Sequence, residues 1–405
     1  MPNSSDSSAH SRRAFLRKTA IAAAGLTATP LLAETIKMPF ANGDRDLVRY
    51  PQKRPMIRLT TRPPQLETPF AVFNEGVITP NDAFFVRYHL AGIPTSIDTD
   101  TFRVDIKGTV NNPLSLSLAD LKKFDAKEVV AVLQCSGNSR GFVMPRVGGG
   151  QSGNGAMGNA KWKGVPLKTI LAKAGLKADS KQVTFNGLDK PVVEKTPDFA
   201  KALDIDHATD GEVMIAYEMN GKELPVLNGF PVRLIVPGYY GTYWVKHVND
   251  ITVINDTLNN FWMNPAYRIP DNETASCDPG TAPKATVPIN RYNVRSFLTS
   301  LQDGAQVKAG QTINLKGIAF DGGIGIREVV VSSNNGAWTQ AKLGKDLGKY
   351  SFREWHAKWT PARPGNYTLR VRATNNSGQM QTEKPLWNPS GYMHNTIETT
   401  QIAVV

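Results

Sequence analysis

Residues 128–141 read EVVAVLQCSGNSRG. The apolar run through Leu133 is short, rich in β-branched residues and closed by a glycine-containing polar stretch, which predicts a buried strand emptying into a loop. Cys135 then stands at the strand exit. There a thiol faces a pocket, while the backbone N–H groups of Ser136 to Asn138 stay free. Arg140 adds positive charge that favours the thiolate, the form that binds metal or attacks an electrophile. A buried, inert cysteine is the alternative, and this stretch alone leaves both open.

The pattern around it is mixed. Phe84 to His89 and Phe102 to Val110 alternate as strands do, and LSLADLKKF (116–124) predicts a short helix opened by Ser117. VPLKTILAKAGL (165–176) has apolar residues at helical spacing, with Gly175 just past the end. VMIAYEMNG and FPVRLIVPG predict further strands. Strands and short helices without regular alternation indicate an α+β domain rather than a doubly wound sheet. Residues 34 to about 75, rich in Pro, Arg and Thr, read as an extended arm wrapping the core. Residues 271–290 form a Pro-rich connection containing Cys277. Beyond it QTINLKGIAF, REVVVSSN, HAKWTP and NYTLRVRATN follow as short strands, suiting an immunoglobulin-like β-sandwich. The expected division is a leader at 1–33, a catalytic domain with its N-terminal arm at 34–285, and the sandwich at 286–405.

In the leader, Arg12 and Arg13 precede Phe15, Leu16 and an Ala-rich run ending in Leu31 and Ala33. That run is too short and weakly apolar to span a membrane and reads as a removable twin-arginine signal, so the mature chain is expected in the periplasm with no membrane anchor. Export in the folded state favours a cofactor inserted before transport. The whole chain carries a net charge of +12; without the leader 43 basic and 34 acidic residues remain, a net +9. The charge is scattered, which argues against a nucleic-acid partner. The only two cysteines are Cys135 and Cys277. A disulfide between them is the plain reading for an exported protein, against a functional Cys135 beside an incidental Cys277.

Two further stretches carry chemistry. In FFVRYHLAG, Arg87 and His89 lie two apart, so on a strand they share a face and suit an oxyanion. NGFPVRLIVPGYYGTYWVKHV brings Arg233, Lys246 and several aromatics to turn-rich sequence, where strands with snorkelling bases are the simpler explanation. Dinucleotide and phosphate loops, the G-x-S-x-G elbow, H-E-x-x-H and C-x-x-C-H are all missing from the sequence, so no haem attachment is expected on this chain.

FFVRYH, LQCSGNSR, FNGLD, AYEMNGKELPVLNGFPVRLIVPG and YWVKHV occur in the order and approximate spacing of the sulfite oxidase family, and the tail through WNPSGYMHN resembles that family's immunoglobulin-like dimerisation domain. The chain most resembles a bacterial periplasmic sulfite dehydrogenase catalytic subunit. The resemblance implies one molybdenum–molybdopterin per chain, with Cys135 as its protein ligand. It implies pterin contacts from Phe85, Val86, Arg87, Tyr88, His89, Asp189, Arg233, Trp244, Val245 and Lys246. Arg87 and Arg140 would hold sulfite, Trp162 would form a pocket wall, and Tyr267 matches the active-site tyrosine. Asn228 stands where many members have histidine, and an amide carries no charge near neutral pH.

The implied reaction is oxidation of sulfite to sulfate, with electrons passing singly to a c-type cytochrome. The implied assembly is a homodimer or a heterodimer with a cytochrome subunit. The alternatives are a same-fold molybdenum reductase of a sulfoxide or similar oxyanion, and an exported, non-enzymatic β-rich binding protein closed by a Cys135–Cys277 disulfide.

Overall fold

The strand Lys127–Gln134 is exposed at its start and buried from Ala131 onward, so it carries the chain inward to Cys135. It pairs antiparallel with Met157–Pro166, Gln134 opposite Met157, and residues 135–156 form the loop between them. Met157–Pro166 pairs in turn with Met214–Met219, which also holds Arg233–Ile235. The computed structural model describes residues 34–405; the expected leader lies outside them.

A second sheet runs in the order Ala200–Asp204, Gln182–Gly187, Val248–Ile254, Val104–Gly108, Leu114–Leu116, and only the 248–254/104–108 pairing is parallel. The helix Leu167–Ala174 buries Leu167, Ile170, Leu171 and Ala174, one stripe at helical spacing, and ends at Gly175 with φ +70°. Leu118–Leu121 is a single turn opened by Ser117, whose hydroxyl accepts from Asp120 N while the Asp120 carboxylate accepts from Ser117 N. Among the described residues helices are few and strands predominate. No described helix is long and apolar enough to cross a membrane.

Residues 34–75 do not form an extended arm. Strands Thr35–Lys37, Asp44–Val48, Met56–Thr60 and Gln65–Glu67 make an antiparallel meander completed by Val86–Arg87. The reason is a small core of its own: Met56 and Leu66 pack with Val86, Tyr88 and Leu227. The expected strand over Phe84–His89 shrinks to Val86–Arg87, but its alternation survives: Tyr88 is buried, while Arg87 and His89 are partly open.

The C-terminal part is two sheets. One runs Arg295–Leu298, Ile313–Phe320, Arg353–Trp359, Lys342–Leu343; the other Ala305–Val307, Glu398–Val404, Gly365–Asn375, Ile326–Ser333, Thr339–Gln340. Leu315, Trp355, Val329, Leu369, Val371 and Ile402 from both sheets share one core, as in a β-sandwich. Phe297, Phe320 and Phe352 on the same strands or beside them join the larger core instead and bind the sandwich to the rest of the chain.

Candidate active site

Two cavities meet at Cys135. The inner one spans about 580 Å³, counted out to the solvent at its mouth, and is lined by Arg87, His89, Asp189, Asn228, Arg233 and Lys246 among others; the outer one spans about 1130 Å³ on the same measure. Phe85, Arg87, Cys135 and Tyr267 line both. The hairpin that ends at Gln134 therefore delivers its thiol to the junction of two lobes. Both cysteines are free thiols, which removes the disulfide-closed binding protein.

The inner lobe is rich in buried cations and poor in anions. Arg233 is 3% exposed; its guanidinium donates to Asn228 O and Trp244 O, and its Nε finds no acceptor. Burial lowers its pKa to about 9. Lys246 donates to Arg87 O at 2.5 Å with its Nζ 4.0 Å from the Tyr88 ring, and burial lowers its pKa to about 7. Asp189 is the one carboxylate in the lining, itself raised by burial. Unpaired buried charge is costly, so this set calls for an anionic ligand. Ser136 and Thr242 in the same wall also have buried hydroxyls without partners.

Lys201, on the strand Ala200–Asp204, is a further fully buried cation; it lines neither lobe but lies close enough to act on His89, and nothing in the sequence hints at it. It donates to Trp262 O at 2.6 Å and lies near the rings of Tyr243 and Tyr267, and burial alone lowers its pKa to about 7. A lysine whose folded pKa is depressed penalises the fold below that pKa, and the penalty fades as pH rises toward its ordinary value. Lys201→Met is therefore expected to raise the melting temperature of cofactor-free protein at pH 7 by about 2 °C or more. The same variant should flatten the rise seen between pH 7 and 10. Differential scanning calorimetry across that range checks both.

At the junction, the Tyr267 hydroxyl shares a 2.5 Å hydrogen bond with His89 Nε2 and accepts from Arg87 Nη2 at 3.4 Å. Burial, with Arg87, Lys246 and Lys201 nearby, pushes His89 well below its ordinary pKa, so the imidazole is neutral. Tyr267 adopts φ +58°, a left-handed conformation that is strained for an aromatic residue and aims its ring into the site. The pairing of Arg87 with His89 legible in FFVRYH thus holds in space, with Tyr267 as its meeting point.

In the outer lobe Arg140 donates from Nε to Ser390 O at 2.9 Å and from Nη1 to Gly150 O at 3.2 Å, with its guanidinium 5.0 Å from the Tyr392 ring. Tyr392 stacks on Tyr267 with ring centroids 5.6 Å apart. A Cβ on Gly137 would come within 2.6–2.8 Å of the Arg140 guanidinium, so this glycine makes room for it. Gly137→Ala should displace that flexible side chain rather than the backbone. The expected result is a KM for an anionic substrate raised about tenfold with a melting temperature within about 2 °C of wild type, checked by steady-state kinetics and thermal melting. Glu67, 1% exposed, accepts from the backbone N–H of Gly153 and Gly155 and so ties the glycine-rich loop to the N-terminal meander. Burial raises its pKa to about 7. The Pro-rich sequence around Gln65, read as part of an extended arm, gives no sign of this.

Three expected site residues are placed differently. Trp162 walls neither lobe: it is fully buried, donates to Ala131 O and packs against Phe84, Trp244 and the Arg233 guanidinium. Its register in Met157–Pro166 turns it into the core, where it supports Arg233 from behind. Tyr88 turns away from the inner lobe and bonds His247 Nε2 at 2.6 Å, because alternation along the strand sends it to the face opposite Arg87 and His89. Val86 reaches only the outer lobe. Phe85, Arg87, His89, Cys135, Asp189, Asn228, Arg233, Trp244, Val245, Lys246 and Tyr267 all line the inner lobe. Asn228 is engaged at both ends of its amide, accepting from Lys53 Nζ at 2.6 Å and donating to Phe85 O at 3.0 Å. It fixes the strand that carries Arg87 with the help of a buried lysine from the meander.

A metal held here must bring most of its own ligands. Among the described residues no group of three or more His, Cys, Asp or Glu side chains comes together to hold one. A lone thiol at the lobe junction, partnerless hydroxyls and a buried cationic wall fit a metal carried on an anionic organic cofactor. Residues 90–262 match the oxidoreductase molybdopterin binding domain and residues 286–404 the Mo-co oxidoreductase dimerisation domain. Cavity and matches together define a molybdopterin-dependent oxidoreductase. The chain is 34% identical to mitochondrial sulfite oxidase of Rattus norvegicus over 374 residues, covering 88% of this chain and 67% of the rat protein. It is 33% identical to sulfite oxidase of Gallus gallus over 368 residues, 85% of this chain and 77% of the chicken protein. The fold matches the sulfane dehydrogenase SoxCD of Paracoccus pantotrophus with a TM-score of 0.72 at 22% identity, over 93% of this chain and 92% of that one. The chain belongs to the sulfite oxidase family.

Proposed function

We propose that the protein oxidises sulfite to sulfate in the periplasm, drawing the added oxygen from water and releasing two protons and two electrons, the latter singly to a c-type cytochrome. The observation that carries this reading is the outer lobe, where Arg87 and Arg140 flank a cavity that opens onto the Cys135 thiol. The two guanidinium groups bind a small dianion at two points and orient it toward the thiol. Molybdopterin would be held by Cys135 Sγ and by Arg233 and Lys246 of the inner lobe, and would supply two-electron oxygen-atom chemistry.

The protein's own share is positioning and charge. Tyr267 keeps its hydroxyl at the lobe junction through His89, and because His89 is neutral that bond adds no further positive charge beside the cations. Arg140 is oriented by Ser390 and Gly150 before substrate arrives, so little reorganisation accompanies binding. The match of residues 286–404 to a dimerisation domain supports a dimer, and Arg12–Arg13 supports twin-arginine export.

The test is sulfite-dependent reduction of a c-type cytochrome by protein of known molybdenum content, run beside reduction of a sulfoxide from a viologen donor. Saturable cytochrome reduction by sulfite supports the proposal. Sulfoxide reduction without sulfite oxidation replaces it with the reductase.

A further inference from the structure

Ser139, immediately before Arg140, has a backbone φ of +70° and ψ of 13°, a left-handed conformation that a serine adopts at a cost, and it is fully buried. Its hydroxyl is held from outside its own loop. Arg295, on the strand Arg295–Leu298, donates from Nη1 to Ser139 Oγ at 2.9 Å and from Nη2 to Glu398 Oε1 at 2.5 Å. Glu398 opens the last strand of the sandwich, Glu398–Val404. Ser139 Oγ donates to Asn154 Oδ1 at 2.5 Å, and Asn154 Nδ2 donates to Glu398 Oε2 at 3.4 Å. The four side chains close a ring, two members from the loop 135–156 and two from the first and last strands of the sandwich.

We infer that Arg295 and Glu398 are positioning residues for the substrate site: through Ser139 they fix the turn from which Arg140 enters the outer lobe. Arg295 is 1% exposed, with its guanidinium 4.5 Å from the Phe297 ring, so it has no freedom to follow a shifting loop. Across the loop, Ser139 N donates to Gly153 O and Gly141 N donates to Ser152 O. A change at Ser139 therefore reaches both sides of the segment that carries Arg140 and Gly150. None of the four ring residues lines either lobe, so they act on substrate only through Arg140. A sandwich that served only as a packing module would have no need to direct a fully buried arginine, paired with a partly buried glutamate, at a loop of the neighbouring domain.

The assignment of Arg140 to sulfite rests on the proposed function, and the experiment has one arm that does not. Ser139→Ala removes the hydroxyl. Arg295→Met/Glu398→Met removes both charges together, because breaking the pair from one side would leave the other ion buried alone and endanger folding. In protein matched for molybdenum content, both variants should raise the KM for sulfite about tenfold, with kcat per molybdenum within about twofold of wild type. A purely structural role would lower melting temperature and metal loading and leave KM where it was. In the second arm, hydrogen–deuterium exchange on the same proteins should show amides 136–141 exchanging about tenfold faster. Faster exchange together with raised KM supports the inference, whereas wild-type KM in both variants overturns the positioning role whatever the exchange shows. If the wild-type protein proves inactive on sulfite, the proposed function fails separately; exchange then decides whether the ring holds the loop, and wild-type exchange rates overturn that too.

Discussion

Cys135→Ser is expected to cut sulfite turnover by on the order of a thousandfold or more while leaving the fold intact. Cys135 is half-buried at the lobe junction, and its thiol supports none of the surrounding loop: the backbone Cys135 N to Ala156 O and Asn138 N to Cys135 O bonds do that work and survive the change. Serine occupies the same space but offers a hydroxyl, a far poorer ligand for a soft metal site than a thiolate. The buried cations Arg233 and Lys246 are untouched, so the organic part of the cofactor should still bind. The measurement is turnover beside separate assays of molybdenum and of pterin. Retained pterin with turnover lost places Cys135 at the metal. A variant that turns over at the wild-type rate would remove it from that role.

The second large effect belongs to Arg87, which lines both lobes and meets Tyr267. Arg87→Met removes a cation from the substrate side and a donor from the tyrosine hydroxyl at once. A loss of about a thousandfold in kcat/KM, near 4 kcal/mol, is the scale set by single preorganised donors in enclosed sites. Arg87→Lys should recover only part of it, because an ammonium lacks the planar fork that spans an oxyanion and Tyr267 together. Lys246 bonds the Arg87 backbone carbonyl, not its side chain, so the inner lobe should keep its shape in both variants. Sulfite kinetics on wild type and both variants, with metal content held equal, measures the split.

The thiol at the end of a buried strand, the shared face of Arg87 and His89, and the helix at 167–174 were all legible because each rests on local periodicity. Trp162 shows the limit of that reading. Strand alternation says that a tryptophan has two possible faces, but only the packing of Phe84, Trp244 and Arg233 decides that its face is core and not cavity. The meander at 35–67 was hidden for a related reason. Its strands are short and Pro-interrupted, and their apolar residues find partners at Val86, Tyr88 and Leu227, far along the chain. Lys201 and Glu67 carry no motif, and Tyr392 sits in WNPSGYMHN without any local sign that it meets Tyr267; each matters through neighbours that only the tertiary structure supplies. The ring of Ser139, Asn154, Arg295 and Glu398 spans two halves of the chain and has no local signature at all.

A molybdenum bound through Cys135 is proposed to oxidise sulfite at the junction of the two lobes. The most direct measurement is a single turnover without any electron acceptor: anaerobic protein of known molybdenum content mixed with excess sulfite, and sulfate counted. Because each loaded chain can accept two electrons and then stops, close to one sulfate per molybdenum is expected, and none from Cys135→Ser. Fully loaded wild-type protein that forms no sulfate would contradict it.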